Sequence, residues 1–237
     1  MVDIHTHLLP MVDDGAKTME DALELLGLAW KDGTRALILT PHYRGRYKAS
    51  AVKIPAAFEA LQKAAAERYP ELTLYLGNEV YYEEGVMDLL AQGVIRPMNG
   101  SRYVLLEFGD VMLRNQILNG ISEVFRHGCI PIIAHLERYS LFQKDPSLVE
   151  TVLDMGAMIQ LNADSVMGKQ GFATKRFCHR LLKQGQVHFI ASDAHDPVKR
   201  SPQMEACRRR ILRKYGPELA HALFISNPTA VIHNNIP

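Results

Sequence analysis

This chain has little of what several large protein classes require. Its three cysteines are scattered and form no Cys-x-x-Cys pair, so neither a disulfide framework nor a thiolate zinc site can be built from them. Lysine and arginine number 27 against 26 acidic residues, a formal charge of +1, so no basic surplus points to nucleic acid or to an acidic membrane surface. No apolar run approaches the roughly 20 residues of a membrane helix, so no membrane insertion is expected. The N-terminus carries no basic-then-apolar leader. With cysteines that form no framework, the expected compartment is the cytoplasm. There is no Gly-x-Ser-x-Gly elbow, no P-loop and no dinucleotide fingerprint. Repeats and low-complexity segments are absent as well. What remains is 237 residues of ordinary composition, enough to bury a substantial core.

Short β-rich apolar runs alternate with helical patterns along this length. Strands are predicted at 2–7, 35–41, 73–79, 103–108, 130–135, 157–162 and 187–193. The helices between them are well punctuated. Thr18 caps a pattern whose Leu23, Leu26, Ala29 and Trp30 share one face and which ends at Gly33. Pro55, Pro146 and Pro202 suit first helical turns, with Asp145 and Ser201 as caps. Gly156, Gly185 and Gly216 suit helix ends. Segments 8–17 and 42–54 read as longer loops. Seven strands alternating with helices imply parallel strands joined by right-handed crossovers, in either a closed barrel or an open doubly wound sheet. In a barrel the active site lies where the strands exit.

The strand exits carry the most informative residues. The first strand presents His5 and His7, a His-x-His pair whose side chains share one face of a strand. The second runs into His42. The third ends at Glu79, the fourth at Glu107, the fifth at His135, the sixth at Asn162 and the seventh at Asp193, followed by His195. Asp13 and Asp14 lie in the loop that would fold over the same mouth. Any one of these alone reads as a helix cap or a solvated polar residue. Five of ten histidines at strand exits, with acids beside them, read as a metal centre. The other five, His127, His179, His188, His221 and His233, read as surface or structural residues.

So many imidazoles and carboxylates exceed what one ion needs and suit two or three ions with a bridging carboxylate. The absence of cysteine among these residues favours Mn, Fe or Zn over soft-metal chemistry. Clustered ions lower the pKa of bound water and neutralise anionic oxygens, which suits phosphate-ester hydrolysis. Arg138 and Arg200 follow His135 and His195 into the same mouth, and guanidinium groups bind phosphate through two N–H donors. Two decoys are set aside. Cys207 and Arg213 match the Cys-x5-Arg pattern of thiol phosphatases, but inside a helical pattern without the small-residue loop that cradles phosphate. His135-Leu-Glu-Arg-Tyr139 opens like a zinc-peptidase helix but lacks the second histidine.

These residues, in the segments DIHTHLLPMVDDGAKTMEDAL, ILTPHY, GNEVYY, SRYVLLEF, PIIAHLERY, QLNADSV, VHFIASDAH and LFISNP, carry a resemblance that spans residues 3 to 228. The chain resembles the PHP (polymerase and histidinol phosphatase) superfamily, and within it the manganese-dependent tyrosine-protein phosphatases of bacterial capsule and exopolysaccharide loci. The resemblance implies a single PHP domain over 1–237, folded as a distorted seven-stranded (β/α) TIM-like barrel with a three-metal site. It places His5, His7, Glu79 and Asp193 on one ion, Glu79, Glu107 and His135 on a second, and Asp14, His42 and His195 on a third. Asp14 is preferred to Asp13 because it directly precedes Gly15, as the family ligand does. Arg138 and Arg200 fall where the family binds phosphate, and with Asp14 they are the expected catalytic residues. The implied cofactor is Mn2+, with Fe or Zn as alternatives, and the implied partner is a phosphotyrosine protein, a bacterial tyrosine autokinase. Departures around Asn78, around Asn162-Ala163 and in the 42–54 loop bear on the substrate. Two other readings stay open: a small-molecule phosphomonoesterase, such as one for histidinol phosphate, and a non-catalytic PHP scaffold module.

Overall fold

In the computed structural model, which describes all of residues 1–237, every strand pairing is parallel. Nine short strands form: β1 (Val2–Thr6), β2 (Ala36–Leu39), β3 (His42–Tyr43), β4 (Thr73–Leu76), β5 (Glu79–Tyr81), β6 (Tyr103–Glu107), β7 (Ile130–Ile133), β8 (Met158–Asn162) and β9 (Phe189–Ala191). They make a three-stranded sheet in the order β1-β2-β4 and a six-stranded sheet in the order β3-β5-β6-β7-β8-β9. An isolated parallel bridge joins Thr6, at the end of β1, to Ala194, beyond β9. The result is an α/β fold with a curled parallel sheet.

Nine segments stand where seven strands were expected because two of the runs are interrupted. Run 35–41 breaks at Thr40-Pro41, where proline has no N–H to give the ladder. Run 73–79 breaks at Gly77-Asn78, where a Cβ on Gly77 would lie 3.1 Å from the Cα of Met98. The two breaks are stitched together: Nδ2 of Asn78 donates to the carbonyl of Pro41 at 2.9 Å.

The helices start where the caps direct. Thr18 and Asp21 form a capping box on the helix Met19–Lys31, and Asp145 accepts from the N–H of Ser147 at the start of Pro146–Asp154. Pro55 lies in the first turn of Ile54–Arg68. Ser201 and Pro202 do not open a helix. The helix there is Glu205–Tyr215, and the remote carboxylate of Asp32 accepts from the N–H groups of Met204 and Glu205 at 2.6 and 2.8 Å. Segment 42–54 is not open loop either, since it holds β3 and a 3-10 helix over Gly45–Lys53.

Two apolar clusters fill the molecule, and the smaller one positions the site. Along β6, alternate residues Tyr103, Leu105 and Glu107 share a face. Tyr103 and Leu105 belong to a buried cluster with Ile4, Ile38, Ile132, Phe189 and Ala191, and Val231 and Ile232 of the C-terminal helix pack into it. Glu107 and Asp193 continue these rows just beyond the apolar floor. Polar ligand types therefore stand directly above a dry base. A 55-residue cluster forms the main core and takes in the apolar faces of the long helices, such as Leu25, Ile121 and Leu181.

Candidate metal centre

All nine residues singled out as ligands converge at one end of the sheet. Four overlapping groups each bring one donor atom per residue within 4.8 Å of the others: His5, His7 and Asp193; His5, Glu79 and His135; His42, Glu79 and Glu107; and His7, Asp14, His42 and His195. Local backbone accounts for the meeting. The bonds His7 N–H to Ala194 O (2.8 Å) and Asp193 N–H to His5 O (2.9 Å) bring the first strand's histidines beside Asp193 and His195. Register places His42 opposite Glu79 across β3–β5 and Tyr81 opposite Glu107 across β5–β6. His135 (φ 33°) and Asp193 (φ 54°) both sit in the left-handed region, which costs free energy for a residue with a Cβ. The strain falls at two candidate ligand positions and turns each side chain into the mouth.

Glu79 is the hub. One carboxylate oxygen, Oε1, lies 3.3 Å from Nε2 of His5 and 2.9 Å from Nε2 of His135. The other, Oε2, lies 3.4 Å from Nε2 of His7 and 2.6 Å from Nδ1 of His42. Four imidazoles on one fully buried carboxylate is the arrangement expected of a bridging ligand. Asp193 divides its oxygens. Oδ1 faces His5, His7 and His195 at 3.5, 3.5 and 3.6 Å, and Oδ2 accepts from Arg138 and Arg200, each at 2.7 Å. The two arginines thus flank the cluster, each anchored to an acid within it.

Tautomers follow from the partners. Nδ1 of His7 lies 2.8 Å from Asp13 Oδ2, and Nδ1 of His195 lies 3.0 Å from the carbonyl of Asp193. Nδ1 of His5 lies 3.1 Å from Oε1 of Gln160. Each of these partners only accepts, so Nδ1 carries a proton and Nε2 is the atom each ring turns toward the cluster. Two such nitrogens, on His5 and His7, face each other at 3.1 Å. Asp14 Oδ1, His42 Nδ1, Glu79 Oε2, His135 Nδ1 and His195 Nε2 are buried without a hydrogen-bond partner. Crowded ring nitrogens and buried polar atoms without partners are costly unless a cation or a retained proton satisfies them. The donor set, nitrogen and oxygen only, fits borderline or hard divalent metals.

Asp13 and Asp14 separate cleanly. Asp13 supports: it holds His7, accepts from the N–H of His42 at 3.0 Å and accepts from the N–H of Gly15 at 2.9 Å. Asp14 projects to the mouth, 3.3 Å from His42 Nε2 and 3.7 Å from His195 Nε2. Gly15 is required between them and the strand, because a Cβ there would fall 1.7 Å from the carbonyl oxygen of His7.

The charges reinforce one another. Burial opposes a proton on His5, but the carboxylates of Glu79 and Asp193 outweigh it and lift the group to about 9. His42 rises to about 11 against the same opposition, through Glu79 and Asp14. Burial, then repulsion from Glu79, pushes Glu107 up to about 7. Glu79 and Asp193, although buried, are held well below the usual carboxylate range by their cationic neighbours.

Sequence reasoning named Asn162 at a strand exit but missed Gln160, which supports these residues. On β8, Gln160 Oε1 also accepts from the N–H of His135 at 2.8 Å, and Nε2 donates to Asn162 Oδ1 at 2.8 Å. Asn162 Nδ2 then donates to Asp193 Oδ2 at 2.9 Å. Period-two spacing of Gln160 and Asn162 on a strand whose exit was already suspect was the available signal. Arg44, two residues beyond His42, was also missed; it grips both oxygens of Glu107 at 2.8 and 3.0 Å. The remaining histidines behave as expected where contacts form. His127 is held by Glu123 and Asp88, His179 by Tyr215, and His188 accepts from the N–H of Ile159. Cys207 is buried within a helix, and burial pushes its thiol up to about 12.

The family model for capsular polysaccharide synthesis, CpsB/CapC, matches residues 1–233. The chain belongs to the CpsB/CapC family. The tyrosine-protein phosphatase CpsB of Streptococcus pneumoniae is 33% identical over 242 residues, covering 100% of both chains. A chain from the crystal structures of YwqE from Bacillus subtilis and CpsB from Streptococcus pneumoniae, metal-dependent tyrosine phosphatases, superposes with a TM-score of 0.90 at 29% identity, covering 99% of this chain and 95% of that one. The phosphotriesterase of Mycobacterium tuberculosis superposes with a TM-score of 0.60 at 13% identity over 98% of this chain and 94% of that one, a likeness of fold alone. No helix of this CpsB/CapC member is long and apolar enough to cross a membrane.

Proposed function

We propose that this chain is a metal-dependent protein-tyrosine phosphatase of capsule or exopolysaccharide synthesis, working in the cytoplasm on a bacterial tyrosine autokinase. The observation that carries the reading is Glu79, whose two oxygens touch four imidazoles inside a ring of unpaired donors. Family membership and the named phosphatase relatives support it. The whole of 1–237 acts as one PHP domain. Its two sheets are read as a distorted seven-stranded barrel, in which β2 with β3 and β4 with β5 each count as one interrupted strand and the Thr6–Ala194 bridge closes the ring.

His5, His7, Glu79 and Asp193 would hold one Mn2+, Glu79, Glu107 and His135 a second, and Asp14, His42 and His195 a third, with Fe or Zn as substitutes. Bound there, divalent cations lower the pKa of a water toward neutrality and offset charge on phosphoryl oxygens. The chain supplies the rest. Arg138 and Arg200 keep N–H donors free beyond Asp193 and would clamp the phosphoryl oxygens as negative charge grows. Asp14 stays ionised beside His42 and His195, which hold it below the ordinary carboxylate range against burial, and at the mouth it can align the attacking water. No thiol takes part, since Cys129, Cys178 and Cys207 are all buried. The side chains of Arg138, Arg200 and Asp14 are 33%, 36% and 36% exposed, so the mouth reaches solvent.

The test is to strip the protein of metal, restore Mn, Fe or Zn separately, and measure phosphate release from a phosphotyrosine peptide, a phosphoserine peptide and histidinol phosphate. Metal-dependent turnover of phosphotyrosine is expected, abolished by His135→Ala. Turnover of histidinol phosphate alone would overturn the protein substrate, and full activity in His135→Ala would overturn the metal mechanism.

A further inference from the structure

A cavity of about 410 Å³ opens beside the cluster, lined by Arg44, Gly45, Arg46, Tyr47, Tyr81 and Glu83. Its size lies within the ~300–1,000 Å³ range of small-ligand sites. Its lining residues lie against the candidate ligands. Tyr47 lies nearly parallel to the ring of His42, with centroids 5.9 Å apart and planes 13° apart. Arg44 binds Glu107, and Tyr81 stands opposite Glu107 in the sheet register. A group entering the cavity is therefore one side chain away from the centre that would hold its phosphate.

The walls are set in place. Arg46 donates to the hydroxyl of Tyr47 at 2.8 Å and places its guanidinium carbon 4.9 Å from that ring's centroid, so it braces Tyr47 at its hydroxyl end. Tyr81 is held as well: its hydroxyl lies so near Gly109 that a Cβ there would meet it at 2.4 Å. Charge in the cavity is nearly settled internally. Lys48 pairs with Glu83 and Arg44 with Glu107, and Arg46 forms no ion pair. The remaining chemistry is two aromatic rings and one cation, a surface suited to an aryl group through ring–ring and cation–ring contacts.

We propose that this cavity is the aryl subsite, in which Tyr47 and Tyr81 receive the ring of the phosphorylated side chain and set preference for aryl over alkyl phosphate esters. The inference rests on the phosphatase reading and adds the residues that select the ester. An alkyl phosphate such as phosphoserine leaves both rings uncovered and gains nothing from them. The ring of a phosphotyrosine covers them while its phosphate faces the cluster.

The test uses metal-loaded full-length protein. Binding of phenylphosphonate and methylphosphonate, which are not hydrolysed, is compared by calorimetry in the wild type, Tyr47→Leu and Tyr81→Leu, together with kcat/KM on phosphotyrosine and phosphoserine peptides of one sequence. Each leucine variant should lower the phenyl-to-methyl affinity ratio and the phosphotyrosine-to-phosphoserine ratio by roughly three- to tenfold, mainly through KM. Tyr47→Phe and Tyr81→Phe should keep both ratios. Unchanged ratios would overturn the proposal, as would a parallel fall on both ligands with loss of metal, which would make Tyr47 only a prop for His42. A wild type inactive on every phosphomonoester would defeat the phosphatase reading, and the phosphonate comparison would still decide the cavity.

Discussion

Arg138 and Arg200 reach the same atom, Oδ2 of Asp193, each at 2.7 Å. Two guanidinium groups that would repel across water are brought together by one buried carboxylate, which they in turn help keep ionised. The same acid offers its other oxygen to three imidazoles. Asp193 thus joins the candidate metal-binding side of the mouth to the side proposed to bind phosphate. Arg138→Ala and Arg200→Ala should each lower kcat/KM on a phosphotyrosine peptide about a hundredfold, the scale of losing one donor to transition-state charge. Metal content should be retained. The double variant should lose less than the product of the two, because both act through one carboxylate and one phosphoryl group. Steady-state kinetics with parallel metal analysis checks this, and multiplicative losses would show that the arginines act separately.

Gln160 fixes the cluster from behind. Its amide orientation is set by the backbone N–H of His135 at one end and, through Asn162, by the Asp193 carboxylate at the other, so every proton in the chain has one direction. Gln160→Leu keeps the volume and removes the partner of His5 Nδ1. Metal affinity should fall about 10–100-fold, the usual cost of losing a ligand's supporting bond. Competition with a chelator reads this without any assay of turnover, and unaltered affinity would show that packing alone orients His5.

Metal uptake should release protons and tighten with rising pH. His5 and His42, lifted to about 9 and about 11, carry protons in the metal-free protein near neutrality, and Glu107 gives up its proton at about 7. A cation needs the unprotonated donors, so affinity should rise between pH 7 and 9, by about tenfold per pH unit for each proton displaced. The metal-free fold responds in the opposite sense. Groups whose folded pKa is raised contribute stability below their unfolded pKa and lose it as pH rises through the folded value. Glu79 and Asp193 stay ionised throughout this window and add no slope. The gap in Tm between loaded and metal-free protein should therefore widen from pH 7 to 9. Calorimetry in buffers of different ionisation enthalpy counts the protons, and a gap that narrows would contradict the assigned charges.

Cys207→Ser should leave phosphotyrosine turnover unchanged, and alkylating reagents should not inhibit the native enzyme. The thiol is buried and shifted to about 12, far from the thiolate a covalent mechanism needs. Inactivation by iodoacetamide at a rate matching modification of Cys207 would reopen the thiol pathway.

Much of this site was legible before any fold was known, because ligand chemistry restricts residue type. His5 and His7 share a strand face by their spacing alone, and Glu79, Glu107, His135 and Asp193 each close a β-rich run, where a parallel α/β fold places its active site. Pro146 and Asp145 announced a helix start correctly because the cap lies next to the helix it caps. Ser201 and Pro202 misled for the converse reason. The acceptor that starts that helix is Asp32, remote in sequence, and no local pattern reveals it. The breaks at Pro41 and Gly77 were hidden in runs whose composition remains that of strand.

The amino-acid order by itself determined which residue types end each strand, and through that the chemistry of the site, because side-chain periodicity and ligand preference are local properties. Only the tertiary structure decided which donors share an atom. It made Glu79 rather than another acid the common partner of four imidazoles, separated Asp13 as support from Asp14 at the mouth, and recruited Gln160, Arg44, Tyr47 and Tyr81. Those choices depend on strand register and on two residues held at positive φ, quantities fixed by packing between segments far apart along the chain.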